Sequence, residues 1–339
     1  MRTLGIEAFL ENKERVPLLD ARSPSEFEKG HIPAAHSFPL FSDEERVEVG
    51  CTYKQEGRQS AIKTGLRLVG PKMERFIEAA ESFGTDRLLM HCWRGGMRSE
   101  SLACLLEFYG FQVNLLEGGY KSFRRALLDY FEQPMDLRVL TGPTGSKKTK
   151  LLYELRSQGE QVIDLEGLAR HQGSSFGTQA TDGQPTTEQF QNELFEAFRN
   201  LDRERPIWIE DESFKIGQVH LVERLYHQKE AAPHYHIEIP WEERVRGLVT
   251  DYGGMPKARL IEATRRIQKR LGQKRAEAAI AHIERGELEQ AVPLILAYYD
   301  KAYRKGIQKK ADRIREKLEV NSADPGSIAE ELLKKEKVL

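Results

Sequence analysis

Apolar residues in the first part of this chain fall in short runs separated by stretches of helical period. Leu88–His91 is a continuous apolar run closed by a polar residue. A tight glycine-bearing loop, Cys92–Arg98, follows, and then a helical pattern, Ser99–Tyr109. Short apolar runs bounded by turn signals are how strands buried on both faces read. The unit recurs. A short helix from Ile6 to Val16 leads into a strand at Pro17–Asp20. A helix from Pro71 to Phe83 carries proline in its first turn. A strand at Gln112–Leu115 is followed by a Gly118-Gly119 turn that opens another helix. Pro39–Arg67 is a long, mostly charged insert, helical in pattern at both ends, which by composition reads equally as a solvated connection.

Gln133-Pro134 breaks the pattern and a second strand–loop–helix unit begins: strand Leu137–Thr141, loop Gly142–Lys147, helix Lys148–Gln158. A strand ending in Asp164 comes next, then Glu166, Arg170, His171 and a polar loop, Gln172–Gly177. Pro206–Ser213 is an apolar strand running into Glu210, Asp211 and Glu212. His234–Pro240 is another strand, with His234 and His236 on one face and no third ligand beside them. Trp241–Lys337 reads as mainly helical, ending in a short capped helix after Asn321 with Ser327 near its start. Strands alternating with helices imply α/β architecture with parallel sheets and helices on both faces. The expected divisions are residues 1–132, residues 133–240, and a helical, partly basic region, 241–339, packed on the second.

With 339 residues the chain is long enough for two or three domains. Its 52 basic and 53 acidic residues nearly cancel, so any nucleic-acid surface must be local. The three cysteines, Cys51, Cys92 and Cys104, have neither metal-like spacing nor a disulfide framework, which fits a reducing cytoplasm. The N-terminal stretch is charged and short of the apolar run a signal peptide needs. No stretch approaches the ~20 apolar residues of a membrane span.

Three constellations carry chemistry. Cys92 stands where a strand ends, and Gly95 and Gly96 let the loop curl round it, so that successive N–H groups form an anion nest at a helix N-terminus. Trp93, Arg94, Met97 and Arg98 complete the loop, and the two arginines add charge. Each feature favours thiolate over thiol. A buried structural cysteine opening an ordinary turn is the plain alternative. The second constellation follows G-x-x-x-x-G-K-[ST] in the placement a phosphate loop requires. Gly142, Lys148 and Thr149 match, and Thr144, Gly145 and Ser146 fill the loop. Lys147, however, stands at the second consensus glycine. Its side chain either obstructs a diphosphate or offers it a second ammonium. The acids at strand ends, Asp164, Glu210 and Asp211, are candidates for metal or general-base roles, with Mg²⁺ on Thr149. The third is a basic helical run with Arg265, Arg266, Lys269, Arg270, Lys274 and Arg275, a candidate phosphate-backbone surface or simply a solvated face. Tyr298, Tyr299 and Tyr303 lie near Lys301, Arg304 and Lys305, placed to stack on bases or to pack helices.

The Cys92 loop resembles the active loop of rhodanese-like sulfurtransferases. LLDARSPSEFEKGHIPAAHSFPL, Leu18–Leu40, resembles that family's opening. The whole order of segments resembles the tRNA 2-selenouridine synthase family: PLFSDEERVEVGCTYKQ, HCWRGGMRS, EGGYKSFR, the phosphate loop, DLEGLARHQGSSFG, EDESFKIG and AYYDKAY. The resemblance implies a rhodanese-like domain, then a P-loop NTPase-like domain. It implies replacement of the sulfur of wobble 2-thiouridine in tRNA by selenium. Selenophosphate is the implied donor, with its synthase a possible partner. The resemblance also implies that geranyl diphosphate first alkylates the sulfur. The family's essential cysteine falls on Cys92. Two rivals stand beside this reading: an ATP-dependent kinase or ATPase fused to a sulfurtransferase, and a non-catalytic tRNA-binding module whose P-loop is inactive.

Overall fold

The computed structural model describes residues 1–171, 183–308, 310–320 and 324–338. The loop Gln172–Gly177, Asn321 and the side chain of Lys305 lie outside the described residues. The chain forms two compact units. One holds Met1–Glu132 with Gln191–Glu196, the other Gln133–Phe190 with Ala197–Leu339.

The first unit is built on β1 (Arg2–Leu4), β2 (Leu18–Asp20), β3 (Ala35–Ser37), β4 (Arg87–His91) and β5 (Gln112–Leu116), in the order β1-β5-β4-β2-β3. Every neighbouring pair is parallel. Leu88, Leu89 and Met90 of β4 are all fully buried, as the unbroken apolar run requires for the centre of a parallel sheet. Asp20 pairs in register with His91, so β2 and β4 end together and the Cys92 loop opens at that edge. This is where open parallel sheets hold ligands. The edge strands β1 and β3 escaped the sequence pattern because neither carries a buried apolar run, unlike the equally short β2.

The charged insert is not a loose connection. It forms two helices that pack on each other, Asp43–Glu56 and Arg58–Val69, separated by Gly57 at φ 91°. Ser42 opens the first with a reciprocal cap: its hydroxyl accepts from Glu45 N at 3.2 Å, and Glu45 accepts from Ser42 N at 2.8 Å.

The second unit contains β6 (Leu137–Thr141), β7 (Gln161–Ile163), β8 (Ile207–Glu210), the antiparallel pair β9 (Lys215–Ile216) and β10 (Val219–His220), β11 (His234–Glu238) and β12 (Ile314–Glu319). Its main sheet is parallel, in the order β12-β11-β6-β8-β7. β12 corrects the expectation of a helical C-terminal region. Only Leu318 of IREKLE is fully buried, opposite Ile237 of β11, so an edge strand with an exposed face reads as a charged helix. The remaining region is helical, at Trp241–Gly253, Lys257–Leu271, Gln273–Arg285, Leu288–Gln308 and Pro325–Val338. Among the described residues no helix is long and apolar enough to cross a membrane.

Candidate functional site

The two strand–loop–helix units each build a polar site, one in each compact unit. In the first, the helix after the loop begins at Met97, two residues earlier than its pattern suggested, with Gly96 as its cap. Cys92 is 3% exposed. Its Sγ accepts from Gly96 N at 3.3 Å and from Ser99 Oγ at 3.2 Å. Burial pushes the thiol up, but the Ser99 hydroxyl and the amides of Gly96, Ser99 and Arg94 outweigh it, and the net shift is downward. The arginine side chains do not take this part. Arg98 Nη1 is 2.6 Å from Glu26, which holds its charge, and Arg94 is exposed. Met97 is also exposed, near Arg58. Ser99 therefore does what the sequence reading gave to the two guanidinium groups.

The turn Glu117–Tyr120 is the other wall of this loop. Tyr120 N donates to Cys92 O at 2.8 Å and Lys121 N to Trp93 O at 3.0 Å. Gly119 has φ 61°, and a Cβ there would stand 2.5 Å from both Cys92 O and Gly95 N. Gly95, at φ 64°, would meet Leu116 O at 2.8 Å. Two backbones pass at a separation only glycine allows. Sequence alone showed Gly118-Gly119 as a helix start, not as a lock on the cysteine loop. Beneath lies Arg22, fully buried, its Nη2 2.5 Å from Asp20 and 2.7 Å from Gly30 O, with its guanidinium 3.7 Å over the Tyr120 ring. Trp93 packs 5.7 Å from that ring.

In the second unit Gly142 lies so close to its surroundings that a Cβ would meet Ser146 Oγ at 2.6 Å and Ile237 O at 2.8 Å. Gly145 has φ 83° and Lys147 φ 56°. The consensus glycine position thus demands a left-handed backbone, and Lys147 adopts it at a steric cost of ~1–2 kcal/mol. Its Cε lies over Gly247 on the helix Trp241–Gly253. Lys148 Nζ donates to Gly142 O at 2.9 Å, folded across the loop. Ser146 is 1% exposed and its hydroxyl has no partner among the described residues, the condition of a group waiting for a ligand oxygen.

The acids separate. Thr149 Oγ1 donates to Glu210 at 2.9 Å, with Glu166 3.5 Å away. Glu210 is pushed up to about 8 by burial, then by Glu166 and Asp164. Glu212 is raised by burial and Glu166. Asp211 turns away: it is bound by Lys229 at 3.1 Å and Lys310 at 2.6 Å, which hold it well below the usual range against its burial. Asp164 caps a short helix through Gly167 N at 2.7 Å and accepts from Tyr153 Oη at 2.6 Å. Glu210 and Glu166 are the acids that reach Thr149; Asp164 adds its charge to Glu210 while capping its own helix, and Asp211 is committed to the two lysines. Among the described residues no three ligating side chains converge as a ready metal cage. A hydroxyl and crowded carboxylates still make a hard-oxygen donor set of the kind Mg²⁺ uses with substrate phosphates.

Arg265, Arg266, Lys269, Arg270, Lys274 and Arg275 are all exposed, while Leu260, Ile267 and Leu271 bury the opposite face. Among the described residues, only Arg266 of these has an ion-pair partner, Glu262 at 2.5 Å. The tyrosines serve packing. Tyr298 and Tyr299 join the helical core, and Tyr303 Oη contacts Thr141 at 3.0 Å and His236 at 2.9 Å. His234 Nδ1 lies 2.8 Å from Ala232 O.

The rhodanese-like domain model matches residues 6–126, and the model for the AAA domain of tRNA 2-selenouridine synthase matches residues 135–325. Relatives named tRNA 2-selenouridine synthase include one from Shewanella pealeana, 34% identical over 335 residues, covering 88% of this chain and 90% of the relative. One from Marinobacter nauticus is 38% identical, covering 77% and 76%. One from Pseudomonas fluorescens is 35% identical, covering 91% and 92%. The cysteine nest lies in the first of these matches and the phosphate loop in the second, and the chain belongs to the tRNA 2-selenouridine synthase family.

Proposed function

We propose that this protein exchanges the sulfur of wobble 2-thiouridine in tRNA for selenium, through an S-geranylated intermediate. The observation that carries the reading is Cys92, a buried sulfur whose hydrogen-bond donors favour its anion. In the first step the thiocarbonyl sulfur attacks C1 of geranyl diphosphate. The C–O bond breaks, pyrophosphate leaves with the electron pair, and the N3 proton passes to a base. In the second, a C2–Se bond replaces the C2–S bond. Geranyl thiolate leaves, and water takes the phosphoryl group of selenophosphate as phosphate. Selenium is already at the selenide level in the donor, so no oxidant is needed.

Each residue has a part consistent with its setting. Backbone amides of Gly142–Thr149, with Thr144, Gly145 and the Ser146 hydroxyl, receive the diphosphate, and Lys148 swings from Gly142 O to the departing oxygens. Mg²⁺, held by Thr149 and Glu210, would neutralise leaving-group charge. Burial and the neighbouring acids raise Glu210 to about 8, and a cation held there would relieve that crowding. Cys92 receives the selenium donor. Arg94, exposed at the rim, meets its phosphate, and the helix Lys257–Leu271 offers a basic face to the tRNA backbone.

The test is mass spectrometry of wobble uridine after incubation with 2-thiouridine tRNA, geranyl diphosphate and selenophosphate. Cys92→Ala is expected to accumulate the S-geranyl nucleoside, form no selenouridine and bind tRNA normally. Selenouridine at the unmodified rate would remove Cys92 from the reaction.

A further inference from the structure

The charged hairpin of the first unit has two ends of opposite character, and one stands beside the cysteine loop. Its first helix, Asp43–Glu56, buries no residue fully, and only Val49 leans on the core. The acids at the start of that helix are engaged: Asp43 by Ser25, Glu44 by Ser42, Glu45 by Lys72 and Glu48 by Arg67. At the Gly57 elbow the balance reverses. Residues 49–66 carry Lys54, Arg58 and Lys63 against Glu56 alone. Lys54 and Arg58 are exposed and, among the described residues, have no ion-pair partner. Tyr53, 59% exposed, sits on the last turn of the first helix, its carbonyl accepting from Gly57 N at 3.2 Å. Arg58 Nη2 is 4.0 Å from Sδ of Met97, which is 46% exposed and opens the helix that follows the Cys92 loop. An exposed aromatic ring, a thioether and two unpaired cations thus gather at the rim of the sulfur site.

We propose that this elbow receives unpaired nucleotides of the tRNA anticodon loop and so presents the wobble base to Cys92. Cations without a protein carboxylate complement phosphates. A ring beside them suits an unstacked base, which offers a π-face whatever its sequence. A duplex keeps its bases stacked and gives Tyr53 nothing to stack on. An apolar peptide would leave both cations uncompensated. The role is one of positioning: Tyr53, Lys54 and Arg58 hold the RNA, and the sulfur chemistry stays with Cys92. This assignment rests on the wobble-uridine reading given above and is independent of the backbone contacts given to the helix Lys257–Leu271.

Fluorescence anisotropy on the full chain tests it, with an anticodon stem-loop carrying 2-thiouridine and a duplex of equal length without unpaired bases. Tyr53→Ala is expected to weaken the stem-loop about tenfold, as loss of one base stack requires, and to leave the duplex unchanged. Tyr53→Phe should keep the affinity, since it keeps the ring. Arg58→Ala should make the salt dependence of log K for the stem-loop shallower by about 0.7, one single-strand phosphate contact. The pH dependence of Cys92 alkylation should not move in Tyr53→Ala, which separates a lost contact from a disturbed loop. On the unmodified chain the stem-loop should shield Lys54 from acetylation and the duplex should not, and this decides the matter if a variant fails to fold. Equal losses for stem-loop and duplex overturn the assignment, as does a Lys54 that stays reactive in the complex; the wobble-uridine reading then still stands. No binding of the stem-loop or of whole tRNA by the unmodified chain removes both. A dimer without RNA that Tyr53→Ala dissociates overturns the assignment in favour of a second copy of this chain.

Discussion

Removing the Ser99 hydroxyl should raise the pKa of Cys92 by about one unit. The hydroxyl is 3.2 Å from Sγ, and among the groups lowering this pKa it stands first. A hydrogen bond to a charged acceptor contributes ~1.5–3 kcal/mol, and 1.36 kcal/mol is one pKa unit, which allows about 1–2 units. The lower end applies because Ser99 Oγ is also 3.1 Å from Gly96 O, so in the thiol form its hydrogen has another acceptor. The thiol itself has Gly96 O at 3.7 Å. The sign follows from the anion losing a donor: at any pH below both pKa values the Ser99→Ala thiolate fraction falls about tenfold, and above both it converges with the unmodified protein. The assay is the pH dependence of iodoacetamide alkylation, read on the Cys92 peptide by mass spectrometry because Cys51 and Cys104 are exposed and also react. Arg98→Ala is the control, with little effect expected because Glu26 already neutralises that side chain. An unchanged pKa in Ser99→Ala together with a raised one in Arg98→Ala would refute the reasoning and return the thiolate to the guanidinium.

Gly119→Ala should cost at least ~2–3 kcal/mol, since left-handed strain of ~1–2 kcal/mol adds to a clash with backbone on two sides. Gly84→Ala, at φ 66° with nothing within 4 Å, should show the strain alone; equal losses in urea melts would mean that the close approach to the Cys92 loop carries no energy. Lys147→Gly should stabilise the unliganded protein by about 1 kcal/mol by relieving the left-handed lysine, and a lowered midpoint would contradict that. Replacing both Arg265 and Lys269 by Ala should weaken tRNA binding and make the salt dependence of log K shallower by roughly 1.5, as two lost phosphate contacts require; an unchanged slope would place the RNA elsewhere.

What could be read without coordinates was local. The Cys92 loop announced itself because strand, paired glycines and helix are contiguous, and so did the phosphate loop. What could not be read was proximity between distant stretches. Ser99 looked like an ordinary first-turn residue of its helix. Nothing in EGGY states that Gly119 will touch the backbone of Cys92. Asp211 looked as available as Glu210 until Lys310, far along the chain, closed on it. β12 was hidden because an exposed edge strand carries helix-like charge.

The two loops share a design but differ in electrostatic balance, and that difference argues for their division of labour. Around Cys92 the loop itself favours the anion. Its donors are amides and a hydroxyl, with Arg98 cancelled by Glu26, so the nest suits a single negative charge held in place. Around Thr149 the crowding is of carboxylates: Glu166 acts on both Glu210 and Glu212, and Lys148 draws Glu212 the other way. Carboxylates packed closely enough to raise one another's pKa are costly when empty of a cation, and the buried Ser146 hydroxyl has no partner among the described residues. A diphosphate arriving with a divalent cation satisfies both at once, whereas either alone leaves one set uncompensated. Pyrophosphate should therefore bind far more weakly in chelator than with Mg²⁺, and Glu210→Gln should remove most of that difference. If the cation makes no difference to the unmodified protein, the acidic group belongs to the fold and not to the ligand.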